Sequence, residues 1–272
     1  MLRTRFMVAG LLVAAAACSS SSDTTGTTDD VTITSDVAVA AADGVAEDVD
    51  LMAGMDGLTG NAIANISGAY FVGPGDWRPH LTGCTFAGGS FTCPATTHGG
   101  LDITRVITFL DAGGATQTAY DPLLTASIHV VADVTGERNH GPWSATITRH
   151  RDFTITGLAG TETTRTVNGT GTETVSNSRD TRNPRAYDMT CSSVVTDVVL
   201  PVRTGDGTNG WPISGTVTRT CTINVTAGGN AGKTTTRTIT ITFNGTSSVT
   251  AVSNGVTFTI DLSAHTATRE GE

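Results

Sequence analysis

Thr238–Leu262 reads TITITFNGTSSVTAVSNGVTFTIDL, and its spacing decides the fold class. Ile239, Ile241 and Phe243 alternate with threonines, which places one apolar and one polar face on an extended segment. Asn244-Gly245 and Asn254-Gly255 are hairpin signals flanked by further alternating residues. A three-residue loop at the first turn opposes Ile241 to Val249 and Ile239 to Ala251. The second turn opposes Val249 to Ile260 and Ala251 to Phe258. One apolar face thus runs through three consecutive strands, as an antiparallel meander requires.

Working back from this stretch, the same pattern recurs. Tyr187–Val202 and Trp211–Thr226 form a long hairpin, preceded by a threonine-dominated run over residues 161–175. In residues 143–155, Trp143, Ala145, Ile147, Phe153 and Ile155 share one face. In residues 125–134, Ile128, Val130, Ala132 and Val134 do the same, and residues 102–110 read as a covered strand. No parallel crossover interrupts the series, so the expected class is all-β: a large antiparallel β-meander, either a sandwich or an open, barrel-like curved sheet. The chain has 52 threonines against 14 aromatic residues. Threonine is β-branched and half polar, so such richness suits wide sheets with one wet face.

Four of the five cysteines lie in the β region. Around Gly88-Gly89 the segment CTFAGGSFTC mirrors itself, and a two-residue turn there opposes Phe86 to Phe91 and Cys84 to Cys93. Cys191 and Cys221 become opposed if their strands pair across the Arg203–Gly210 loop. Both pairs read as disulfides. A rival metal reading, His80-x3-Cys84-x8-Cys93-x4-His98, departs from the common zinc spacings.

The N-terminus sets the compartment. Arg3 and Arg5 precede an apolar run, Phe6–Ala17, too short to span a bilayer as a permanent helix, so residues 1–17 read as a signal peptide. Ala15-Ala16-Ala17-Cys18 resembles the lipobox of bacterial lipoproteins, which makes Cys18 a lipid anchor. A plain signal peptidase would cut the same bond, so secretion without lipid stays open. Residues 18–35 then form a polar tether, with a short strand at Val31–Thr34. Residues 36–60 form one short helix and loop, with Val37, Ala41, Val45, Val49 and Met52 on one face, and residues 61–272 form the β domain. Ser19 rather than aspartate after the cysteine leans toward the outer membrane.

Removing residues 1–17 leaves 14 basic and 25 acidic residues, a net charge of −11. Nucleic acid is a poor partner for such a chain, and an anionic lipid surface would repel it unless a lipid anchor held it there. Val106–Asp111, Asp152–Arg165 and Trp211–Leu262, with Trp211-Pro-Ile-Ser-Gly-Thr-Val-Thr218, resemble a set of uncharacterised β-rich bacterial envelope lipoproteins. The resemblance implies a fold and a compartment; it carries no activity and no functional residue.

No phosphate loop, nucleophile elbow, metalloprotease helix or complete calcium loop is present, and no residue set points to a cofactor. His150 and Asp152 form the best polar constellation, at i and i+2 on a strand face opposite Ile147 and Phe153. A hydrolase reading assigns them acid–base work; the default reading is a wet strand face. His129 and Asp133 share a face in the same way. His140 is expected in a loop. Asp206–Gly210 is oxygen-rich but lacks the acidic ligands of a calcium site. The Thr216, Thr218, Thr220, Thr222 ladder invites an ice-binding reading, weighed against an ordinary exposed β-surface. Arg149 and Arg151 fall on the face of Trp143 and Phe153, which keeps that face out of lipid. The expected function is a membrane-anchored, non-catalytic envelope protein with a structural, adhesive or binding role toward a protein or glycan. The alternatives are a carrier of an apolar ligand in the curved sheet and the His150/Asp152 hydrolase.

Overall fold

The computed structural model describes residues 27–54, 81, 83–121, 123–158, 162–202 and 210–271. The expected signal peptide, the expected anchor Cys18, the start of the expected tether, His80 and the Asp206 loop lie outside these residues. The described residues form one helix, α1 (Thr27–Gly54), and thirteen strands. These are β1 (Thr85–Ala87), β2 (Ser90–His98), β3 (Leu101–Asp111), β4 (Thr116–Gln117), β5 (Thr125–His140) and β6 (Trp143–Thr156), followed by β7 (Thr164–Arg179) and β8 (Arg185–Pro201). The last are β9 (Ser214–Ala227), β10 (Thr234–Thr242), β11 (Ser248–Ser253), β12 (Val256–Asp261) and β13 (Thr266–Arg269).

Every ladder is antiparallel, and the strands lie in sequence order β1-β2-β3-β5 through to β13, with β4 paired only to β3. The architecture is therefore a single open meander rather than a two-sheet sandwich. The Gly88-Gly89 hairpin has the expected register, Phe86 facing Phe91, and Asn254-Gly255 sets Val249 against Ile260 and Ala251 against Phe258. Between β10 and β11 the register differs by two residues: Ile241 faces Ala251 and Ile239 faces Ser253. The reason is local. Asn244 accepts from the Thr246 amide and donates to the Ser248 carbonyl, and the Gly245 amide bonds to Pro212 O, so residues 243–247 form a longer loop. A shift of two keeps the apolar face inward.

The helix differs from expectation in extent and setting. Val31–Thr34 is helical rather than a strand, and the helix starts at Thr27, inside the expected tether. The β-branched TITS segment has modest helix propensity, but enclosure overrides it. None of residues 30–53 is exposed, because the curved sheet wraps the helix on its concave side. Asp43 shows how far the sheet curls: it meets Arg138 of β5 at 3.3 Å and His265, in the turn between β12 and β13, at 3.0 Å.

The cross-strand register stacks the interior in layers. One apolar layer runs Ile107–Val130–Phe153–Gly169–Val195–Val217–Ile241–Ala251–Phe258 across the sheet. A second, toward the helix N-terminus, contains Leu101, Ile147, Val175, Met189 and Ile223. These layers belong to two separate hydrophobic clusters, the first with Ala38–Ala53 of the helix and the second with Ile33 and Val37. What separates them is charged.

Candidate functional site

His150 and Asp152 lie on the convex face, as their alternation requires, but they are not partners. His150 Nδ1 is 2.8 Å from Asp133, directly across the ladder, and His129 Nε2 is 2.7 Å from Asp152 on the diagonal. The four side chains form two His–carboxylate pairs on β5 and β6, with side-chain exposures between 38% and 60%. A carboxylate that orients an imidazole while leaving its second nitrogen open is half of an acid–base device. The other half is a nucleophile and an enclosed site for the developing charge. The groups flanking these pairs across the ladders are threonines of a convex surface, Thr104 beside Asp133 and Thr172 beside His150. The geometry is that of cross-strand ion pairing on a wet face.

That face is ordered. Thr135, Thr148, Thr174, Thr190, Thr222 and Thr236 occupy one continuous cross-strand row from β5 to β10, all exposed. The adjacent row contains Thr104, Asp133, His150, Thr172, Ser192, Thr220 and Thr238. Facing hydroxyls bond across the ladder, Thr220 to Thr238 at 3.1 Å and Thr218 to Thr240 at 3.3 Å. A surface this polar is unsuited to a lipid environment.

The concave face carries the feature that the linear pattern did not reveal. Two adjacent rows between the apolar layers read Arg105–Ala132–Arg151–Gly171–Ser193–Arg219 and Arg149–Glu173–Cys191–Cys221–Arg237. Small residues separate the arginines of the first row, so each long side chain has room to reach inward. Glu173 is the hub. Its Oε2 accepts from Arg149 Nε at 2.8 Å and Arg151 Nη2 at 3.2 Å, and Oε1 pairs with Arg219. The helix supplies the remaining carboxylates: Asp48 accepts from Arg151 Nε at 2.6 Å, and Glu47 pairs with Arg138 and Arg149. Arg219 also donates to the carbonyl of Ala41 at 3.3 Å.

Two glycines make this possible. A Cβ on Gly44 of the helix would overlap the Arg219 guanidinium, and one on Gly171 would lie 2.7 Å from both Arg151 Cδ and Ser193 Oγ. Burial is the first cause that lowers Arg219 to about 10, reinforced by neighbouring Arg151; Asp48 and Asp43 act in the opposite sense. Burial alone lowers Arg105 to about 10. Toward the helix N-terminus, Asp36 accepts from the Tyr187 hydroxyl at 2.6 Å and pairs with Arg185 at 3.0 Å. Burial raises the Asp36 carboxyl above its usual range, against the lowering effects of Tyr187, Arg185 and Arg179.

The cysteines pair as expected, Cys84 with Cys93 and Cys191 with Cys221, each with Cα atoms 4.0 Å apart. Cys84 and Cys93 are thereby not thiolate ligands, and the His80–Cys84–Cys93–His98 metal reading falls away. Among the described residues no group of three or more His, Cys, Asp or Glu is placed to hold a metal ion. Phe243, Phe258 and Ile260, which a carrier would line its cavity with, are packed in the same cluster as the helix. Two cavities beside the arginine layer measure about 60 and 40 Å³, room for a few waters. A cleft of about 370 Å³ opens at the helix N-terminal end, between Ile33 and the turns after β7 and β9. Its walls mix Arg185, Asn183, Asn230 and glycines with apolar groups, unlike a lipid-carrying pocket.

His140, expected in a loop, ends strand β5 opposite Trp143. Arg149 and Arg151 do share the face of Ile147 and Phe153, but that face is the interior, where acids compensate them. No family model, no curated protein and no solved structure matches this chain.

Proposed function

We propose that this chain is a lipid-anchored, non-catalytic protein of the cell envelope, held to a membrane through acylated Cys18 and making contacts through its convex threonine face. The observation that carries the reading is the filled interior. A curved sheet that encloses its own helix leaves the outer face as the broadest surface for a protein or glycan to meet. Two disulfides between neighbouring strands suit an oxidising compartment outside the cytoplasm. The chain from Cys18 to Thr27 can span at most about 30 Å, which keeps the body close to the anchoring surface.

The test is intact mass of the protein extracted from membranes. The reading expects a chain beginning at Cys18, carrying acyl groups and lacking four thiol hydrogens, and it expects Cys18→Ser to leave the membrane fraction. An unacylated chain that retains residues 1–17 and has all five cysteines as free thiols contradicts it.

A further inference from the structure

Helix α1 carries seven acids, Asp29, Asp30, Asp36, Asp43, Glu47, Asp48 and Asp50, and no base. The strands answer with the buried arginines Arg105, Arg149, Arg151, Arg165, Arg219 and Arg237, and Glu173 is their one buried acid among the described residues. Helix and sheet are thus two halves of one electrostatic unit. A sheet without the helix would hold its guanidiniums around a hollow with a single carboxylate, and uncompensated buried charge is strongly destabilising. A free α1 would have acids along its length and none of the basic residues that favour a last turn.

The connection between the halves is long. Twenty-six residues separate Gly54 from Leu81, a covalent reach of up to about 90 Å against a helix about 42 Å long. The helix is held through side chains, Arg151 to Asp48, Arg219 to Ala41 O and Tyr187 to Asp36, and forms no part of the β ladder. Replacing it with another helix breaks no strand pairing.

We propose that the arginine-lined concave face is an acceptor site for this acidic helix and takes it from a second copy of the chain as well as from its own, giving a dimer with exchanged helices. The site selects a copy of itself rather than any acidic helix. Arg219 occupies the space that every residue except glycine at position 44 would fill, and Asp43, Glu47 and Asp48 match Arg138, Arg149 and Arg151 in register.

Charge exchange across the 2.6 Å Arg151–Asp48 pair tests this. Asp48→Arg and Arg151→Asp each place like charges together inside one chain. When the two variants are refolded together under oxidising conditions, exchange gives one native pair and one reversed pair. The expected result is loss of soluble protein for each variant alone and recovery, from the equimolar mixture, of a heterodimer of twice the chain mass by light scattering. Refolding of the unsubstituted chain at rising concentration gives an independent readout, with a dimer fraction that grows with concentration. The proposal is overturned if the mixture yields no heterodimer, if each variant folds alone as a monomer, or if the unsubstituted chain is monomeric at every concentration.

Discussion

Replacing Glu173 with glutamine removes one charge from the centre of the arginine layer while keeping its shape. In the native chain this carboxylate receives Arg149 at 2.8 Å, Arg151 at 3.2 Å and Arg219 through its other oxygen. After substitution Arg149 and Arg151 retain Glu47 and Asp48, but Arg219 loses its ion pair and keeps the Ala41 carbonyl. The glutamine NH2 must also point a donor at a guanidinium donor. Two charges about 4 Å apart interact by roughly 4 kcal/mol at an effective dielectric near 20, and breaking a buried pair by removing one partner costs about 3–5 kcal/mol. We therefore expect Glu173→Gln to lose about 3–5 kcal/mol, a large share of the roughly 5–15 kcal/mol typical of a folded domain. Urea titration of the disulfide-intact protein, followed by far-UV circular dichroism and tryptophan fluorescence, measures it. Exposed Glu270→Gln is the control and should stay within about 0.5 kcal/mol. If Glu173→Gln matches the control, the carboxylate is not compensating three buried arginines and the reasoning fails.

Gly44→Ala should destabilise by about 1–3 kcal/mol, although the same change in an ordinary helix interior stabilises by about 1, because the new Cβ displaces the Arg219 guanidinium; an increase in melting temperature would contradict this. Replacing Cys191 and Cys221 together by serine opens a cross-link with a sequence separation of 30 and should cost about 3–4 kcal/mol on a chain-entropy basis, read from the shift in urea midpoint. Asp36 has a folded pKa raised above 3.8, so the folded state holds its proton more tightly and the resulting stability, full below 3.8, is lost as pH rises through the folded value. The stability of the native chain relative to Asp36→Asn should accordingly fall as pH rises above 3.8 through the raised folded value, and a difference that stays flat as pH rises would count against the burial of this carboxyl. His150→Gln, on the exposed face, should change stability by less than about 1 kcal/mol in equilibrium unfolding at neutral pH.

Where residues a few positions apart decide the outcome, the structure was legible in the sequence. The mirror symmetry of CTFAGGSFTC is enough to pair Phe86 with Phe91 and Cys84 with Cys93, and Asn254-Gly255 sets its strands in register, because tight turns leave few alternatives. The Asn244-Gly245 turn misled by two residues because Pro212, thirty-odd positions away, holds the Gly245 amide. Val31–Thr34 reads as a strand on its own residues but is helical in the structure, where the sheet encloses it. The arginine layer is the clearest case. Period two places Arg149 and Arg151 on the inner face, but their partners, Glu47 and Asp48, lie about a hundred positions earlier in a helix whose late acids look unfavourable in isolation. A run of seven acids without a base, set against single arginines at inner strand positions, was the available signal. Likewise, His150 and Asp152 share a face by alternation, while their bonds to Asp133 and His129 depend on a pairing that alternation does not specify.

Hydrogen exchange, read by mass spectrometry on the disulfide-intact chain, tests the enclosure of the helix most directly. An enclosed helix locked by buried ion pairs predicts that amides of residues 33–53 exchange only with global unfolding, as slowly as those of β6 to β9. Exchange of that helix orders of magnitude faster than the long strands would contradict the account.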